Sequence, residues 1–205
     1  GTMEIVDLVS GSILLPRGKP LALLAYCCIA RRREYSREAL AALLWSDAPA
    51  ERARHNVRQA LWRIRKQLGD VLETRDDSVL GIAPGLTVDR EQFLDAVYRS
   101  DAPEALRLYQ GPFLDGVTMP GGAEFDDWAA AERLRLEDAL VRVSEPYLRS
   151  ELLLLKPRER REVLEQLLQK APDHHEARRV AIEVLLDIGD RAAAQREADT
   201  LERMA

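Results

Sequence analysis

The sequence predicts a mostly α-helical chain in two parts: a mixed N-terminal part of three helices and small β-hairpins, then an all-helical C-terminal part. Three observations predict it. Over most of the chain, apolar residues recur at helical spacing between capping and breaking residues. The stretches that read as strands all fall before residue 88. Beyond residue 130, helix starts are expected at a fixed interval, with 157 to 191 and 139 to 173 both 34 residues apart. A 34-residue helical-hairpin period is the tetratricopeptide spacing, so the second part is expected to be TPR-like. The 205 residues, 46% hydrophobic and 32% charged, can bury a core in each part and argue against wholesale disorder. The boundary is placed between residues 88 and 89, giving domains 1–88 and 89–205.

Each element has a local reason. Glu4–Leu15 alternates loosely around Ser10-Gly11-Ser12 and reads as a short hairpin. Pro20 opens a helix that runs to about Ala30, because proline is tolerated in a first turn. Ser36 is a capping residue for Arg37-Glu38 and the apolar stripe through Trp45. Ser46-Asp47-Ala48-Pro49 breaks that helix. A long helix follows from about Ala50 to Leu68, stopped by Gly69. Val71–Arg75, Asp76-Asp77 and Ser78–Ile82 read as strand, turn, strand, ended by Ala83-Pro84-Gly85. Helices alone follow: Asp89–Arg99 and Pro103–Tyr109, a Gly- and Pro-rich loop over 111–122, then Glu124–Leu155 with a kink or break expected at Pro146. Pro157–Lys170, Asp173–Ile188 and Arg191–Met204 complete the chain.

The charge is uneven. Residues 1–88 hold 13 Lys+Arg and 10 Asp+Glu, net +3, and residues 89–205 hold 17 and 25, net −8, which sums to −5. Within the long helix, Arg52, Arg54, Arg58, Arg63, Arg65 and Lys66 face one acid, Glu51, giving a local field of +5. At 100° per residue, Ala53, Val57, Ala60, Leu61, Ile64 and Leu68 form one stripe for the core. Arg52, His55, Gln59, Trp62 and Lys66 lie on the far side, flanked by Asn56, Arg58 and Arg63. Cations hold phosphates and amides read base edges, so this face suits the major groove of double-stranded DNA. A solvated basic face is the bland alternative. The scarcity of interleaved acids and a tryptophan on the polar side count against it. The preceding helix and this one make a helix-turn-helix pair, and the hairpin after them makes a wing.

Other motifs carry no chemistry. Cys27 and Cys28 are adjacent and read as core residues, and the absence of a disulfide framework fits a reducing, cytoplasmic setting. His174-His175 beside Asp173 and Glu176 reads as helix-cap chemistry, not a metal set. Asp126-Asp127 reads as a solvated helix start. Gly121-Gly122 precedes no phosphate-cradling Lys-Ser/Thr. No nucleophile motif is present, so no enzyme, cofactor or small-molecule substrate is expected. Leu21–Ala30 and Leu152–Leu155 are too short for the roughly 18–20 residues that span a bilayer. Met3–Asp7 is too acidic for a signal peptide.

Leu21–Tyr26 (LALLAY), Ser36–Trp45 (SREALAALLW), Ala53–Leu68 (ARHNVRQALWRIRKQL) and Val71–Arg75 resemble the winged helix of SARP-type regulators, the Streptomyces antibiotic regulatory proteins. Val88-Asp89 with Phe93, Ala105–Asp115 (ALRLYQGPFLD), Phe125 with Trp128, and Glu132-Arg133 resemble the bacterial transcriptional activator domain of the same family. The resemblance implies a transcriptional activator. It implies Arg58, Gln59, Trp62 and Arg63 in the major groove, and Arg54, Arg65 and Lys66 on phosphates. Ser36 and Arg37 at a helix N-terminus and Arg75 on the wing would add backbone contacts. It further implies that the Ser46–Ala50 loop faces RNA polymerase and that the TPR-like half serves homodimerisation or partner contact. A second function class stays open. The acidic wing tip Asp76-Asp77, the short N-terminal sheet and the negative net charge also fit a protein-interaction module of a larger signalling protein.

Overall fold

The computed structural model describes residues 4–7, 9–30, 34–75, 78–82, 87–149 and 155–204. In chain order the elements are β1 (Ile5–Val6), β2 (Ile13–Leu15), α1 (Lys19–Ile29), β3 (Glu34–Ser36), α2 (Arg37–Trp45), α3 (Ala50–Leu68), β4 (Leu72–Arg75), β5 (Ser78–Ile82), α4 (Asp89–Tyr98), α5 (Ala102–Leu108), α6 (Ala123–Arg149), α7 (Pro157–Lys170), α8 (His175–Asp187) and α9 (Arg191–Met204). The chain is mostly helical with small antiparallel sheets, as the sequence predicts.

The residues gather into two compact units. The first holds Thr2–Val88 together with Leu114–Ala131. Here β1 pairs with β2, and a three-stranded sheet runs β3-β5-β4, antiparallel throughout. The strand before α2 therefore joins the hairpin after α3, with Tyr35 opposite Val79 and Arg75 opposite Ser78. Both Tyr35 and Val79 are buried, which locks the hairpin to the helices. Leu21, Leu23 and Leu24 of α1, Leu40 and Leu44 of α2, and Val57 and Ile64 of α3 are almost wholly buried in one core. The second segment of this unit adds Phe125, which is fully buried, and Trp128, whose ring lies 4.9 Å from Tyr26 and 5.3 Å from Phe125. Tyr26 in turn lies 5.4 Å from Tyr35. Cys27 is buried and Cys28 half-buried, and burial pushes both thiols up to about 12, which favours their protonated form.

The second unit holds Asp89–Phe113 and Glu132–Ala205. Its core takes Phe93 and Ala96 from α4, Leu106 from α5, Leu140 and Leu148 from α6, and Leu164, Leu167, Val180 and Val184 from α7 and α8. Asp101 caps α5 by accepting from the Glu104 N–H at 3.1 Å. His174 does the same for α8, its Nδ1 accepting from the Ala177 N–H at 3.3 Å while Nε2 meets Asp138 Oδ1 at 2.8 Å. The His174-His175 pair is thus helix-cap chemistry, as expected.

Two expectations are corrected. Pro146 does not break α6 into two, since the helix runs on to Arg149. Proline removes one backbone bond, but the buried Val143, Ser144 and Leu148 hold that last stretch against the core. The interval from 139 to 173 does not mark helix starts. Ala139 is a buried residue inside α6, and α8 starts at His175 because His174 provides the cap. The interval from 157 to 191 does separate the starts of α7 and α9. The expected features at Arg31–Arg33, Asp76-Asp77, Ala83–Gly85 and Leu152–Leu154 lie outside the described residues. Among the described residues, no helix is long and apolar enough to cross a membrane.

Candidate nucleic-acid interface

The candidate surface is the outer face of α3. Pro49 sets the start of this helix with extended backbone, and Glu51 in the first turn and Arg65 and Lys66 in the last suit the helix dipole. Gly69 ends it at φ 75°, a left-handed conformation that glycine adopts without a steric cost, and its N–H donates to the Arg65 carbonyl at 2.9 Å. Ala53, Val57, Ala60 and Ile64 are buried, and Leu61 and Leu68 are half-buried beside them. That stripe fixes the rotation of the helix, and the remaining residues turn outward. Arg52, Arg54, His55, Arg58, Gln59, Trp62, Arg63, Arg65 and Lys66 are all exposed, and Asn56 is half-buried.

The electrostatics of this face are unusual for a solvated helix. Arg65 pairs with Asp70 at 2.5 Å. Among the described residues, no carboxylate lies within ion-pair distance of Arg52, Arg54, Arg58, Arg63 or Lys66. Like charges crowded on one face repel, which costs stability unless an anion is supplied from outside. Trp62 is 56% exposed, a large apolar area to leave in water. The Lys66 ammonium stands 4.9 Å from the centre of its ring, so the indole holds a cation in place.

The flanking residues are placed by neighbouring elements. Ser36 ends β3 and caps α2, its hydroxyl accepting from the Ala39 N–H at 3.0 Å, so the following N–H groups of α2 are ordered. Arg37 is half-buried in the first turn. Arg75 ends β4 opposite Ser78, at the base of the hairpin turn.

Two features of this site escaped the sequence reading. The turn between α2 and α3 is clasped from far along the chain. The Ser46 N–H and hydroxyl both donate to the Gly121 carbonyl, at 2.9 and 3.2 Å. Gly121 adopts φ 69°, and Gly122 is packed so closely that an added methyl would stand 2.9 Å from Met119 Cβ and 3.1 Å from the Met119 carbonyl oxygen. These glycines are therefore packing residues of the turn between α2 and α3, with Gly121 75 residues away from Ser46 in sequence. No local pattern could have paired them.

The second feature is a groove of about 830 Å³ between α3 and the connector from β2 to α1. Arg17 and Lys19 line one wall, and Asn56, Gln59, Arg63 and Lys66 line the other. The Lys19 ammonium lies 5.1 Å from the centre of the Trp45 ring. Partial burial lowers the Lys19 pKa, and the charge of Asp47 works against that shift. The only sequence signal was two cations around a glycine in Pro16-Arg17-Gly18-Lys19-Pro20.

Residues 89–203, more than half of the chain, match the profile of the bacterial transcriptional activator domain. The match begins at α4 and includes the 114–131 segment that packs in the first unit with α1, α2 and α3. No curated protein matches the chain. The chain belongs to the bacterial transcriptional activator domain family.

Proposed function

We propose that the protein is a sequence-specific, DNA-binding transcriptional activator in which α3 enters the major groove of duplex DNA. The observation that carries this reading is the exposed face of α3, where five cations have no carboxylate partner among the described residues and Asn56 and Gln59 stand among them. Arg58, Gln59, Trp62 and Arg63 contact base edges, where arginine reads guanine, glutamine reads adenine and an indole packs on a thymine methyl. Arg52, Arg54, His55, Asn56, Arg65 and Lys66 hold the strands on either side. Ser36 and Arg37 present the N-terminal turn of α2 to a phosphate. Arg75 serves the adjacent backbone from the wing. Membership of a transcriptional activator family supports the same direction. In this reading the helical half serves homodimerisation or contact with RNA polymerase, and the Ser46–Ala50 turn is the polymerase-facing loop of the first unit. The setting is the bacterial cytoplasm.

The test is binding to a pool of random-sequence duplexes by fluorescence anisotropy over a salt series. The reading expects binding at micromolar protein in low salt. It also expects log K to fall linearly with log salt, with a slope of about −0.9 for each phosphate neutralised. Absence of binding at the lowest salt rejects it and leaves the protein-interaction module in its place.

A further inference from the structure

We propose that the groove between α3 and the β2–α1 connector seats one sugar–phosphate strand of the bound duplex, with Arg17 and Lys19 as backbone contacts outside the helix-turn-helix. This rests on the DNA-binding reading and extends it to a part of the first unit that carries no recognition element. The geometry starts from widths. A helix with its side chains is about 10–12 Å across and the major groove is about 12 Å wide. A helix lying in that groove therefore has a phosphate strand along each flank. On α3, Arg54 and Arg65 mark one flank, and Asn56 and Gln67 mark the other. The second flank does not open onto bare solvent. It borders the groove, whose opposite wall carries Arg17 and Lys19.

The lining chemistry fits a polyanion. Arg17, Lys19, Arg63 and Lys66 all line the groove, and among the described residues no carboxylate lines it, the nearest acidic influence being that of Asp47 on Lys19. Two of these ammonium groups are held against indoles, Lys19 on Trp45 and Lys66 on Trp62. Such positioning lowers the entropy lost when a flexible lysine takes up a phosphate. Gly18 stands between Arg17 of the connector and Lys19 at the start of α1, at φ 148°, a conformation closed to other residues at ordinary cost. It lets the chain turn from the exposed Arg17 into the first turn of α1. Gln59 and Trp62 belong both to the groove and to the exposed face of α3, so a strand in the groove is continuous with bases read by that face. That continuity favours a duplex over a separate acidic peptide.

The experiment compares the full chain with the double variant Arg17→Ala, Lys19→Ala and with Arg58→Ala, Arg63→Ala, on the random duplex pool over the same salt series. The connector variant is expected to bind about tenfold more weakly at low salt, with the salt slope shallower by about 2, one for each phosphate no longer neutralised. Lys19→Arg alone should keep the wild-type slope. Unchanged circular dichroism establishes that the fold is intact. Wild-type affinity and slope in the connector variant overturn this inference. If the α3 variant fails to bind in the same series, the DNA-binding reading still stands. Failure of the wild-type protein to bind overturns both. Displacement of the duplex by polyglutamate at equal charge, lost in the connector variant alone, would assign the groove to an acidic peptide and also overturn it.

Discussion

Arg58→Ala with Arg63→Ala is expected to weaken duplex binding severely while leaving the fold in place. Each arginine that reaches a base edge with two hydrogen bonds contributes about 1–3 kcal/mol of binding. Losing both therefore costs about 2–6 kcal/mol, or roughly 30-fold to 20,000-fold in affinity. Both side chains are exposed, neither has an acidic partner among the described residues, and neither touches the core stripe of α3. Substitution at such positions changes folding stability by no more than about 0.5 kcal/mol. The two readouts are anisotropy with a labelled duplex and thermal melting by circular dichroism. A large loss of binding with an unchanged melt is the expected pair of results. A protein-interaction module predicts no change in either.

Arg90→Ala has the second large effect, and it falls on stability. Arg90 is only 5% exposed and Glu132 8% exposed. Arg90 Nε donates to Glu132 Oε1 at 2.6 Å, and Arg135 approaches the same carboxylate at 3.3 Å. The pair ties α4 to α6 within the second unit. Taking Arg90 away leaves the buried Glu132 with the more distant Arg135 alone, and taking Glu132 away leaves the buried Arg90 with the exposed Glu91 alone, so the loss is expected to reach at most the about 3–5 kcal/mol of a broken buried pair. A domain of this size has only about 5–15 kcal/mol to lose. Urea unfolding should show Arg90→Ala and Glu132→Ala each far below wild type. The joint replacement Arg90→Met, Glu132→Leu should recover most of the stability, because no charge is then stranded. Equal destabilisation in the single and joint variants would mean that shape, not charge, governs the site.

The readable parts of this chain are those whose physics is local. α3 lies between a proline and a glycine, and its apolar residues recur at helical spacing, so its limits, its buried stripe and its exposed cations follow from neighbours within a few residues. The same holds for the Ser36 and His174 caps. The parts that were not readable depend on packing between residues distant in sequence. Pro146 is tolerated because side chains on either side of it are anchored in a core that no local window displays. The Ser46–Gly121 clasp and the Arg17–Lys19 wall of the groove join residues that only folding brings together. The Arg90–Glu132 pair belongs to the same class. A lone arginine in an amphipathic helix reads as surface until its buried partner is known.

In the proposed function, duplex DNA covers the outer face of α3. Hydroxyl-radical footprinting read by mass spectrometry measures this directly, because exposed aromatic rings oxidise readily. Trp62 is 56% exposed on α3, and Tyr98 is 91% exposed at the end of α4. With saturating duplex, the account predicts strong protection of Trp62 and unchanged oxidation of Tyr98. Equal oxidation of Trp62 with and without bound duplex would contradict it.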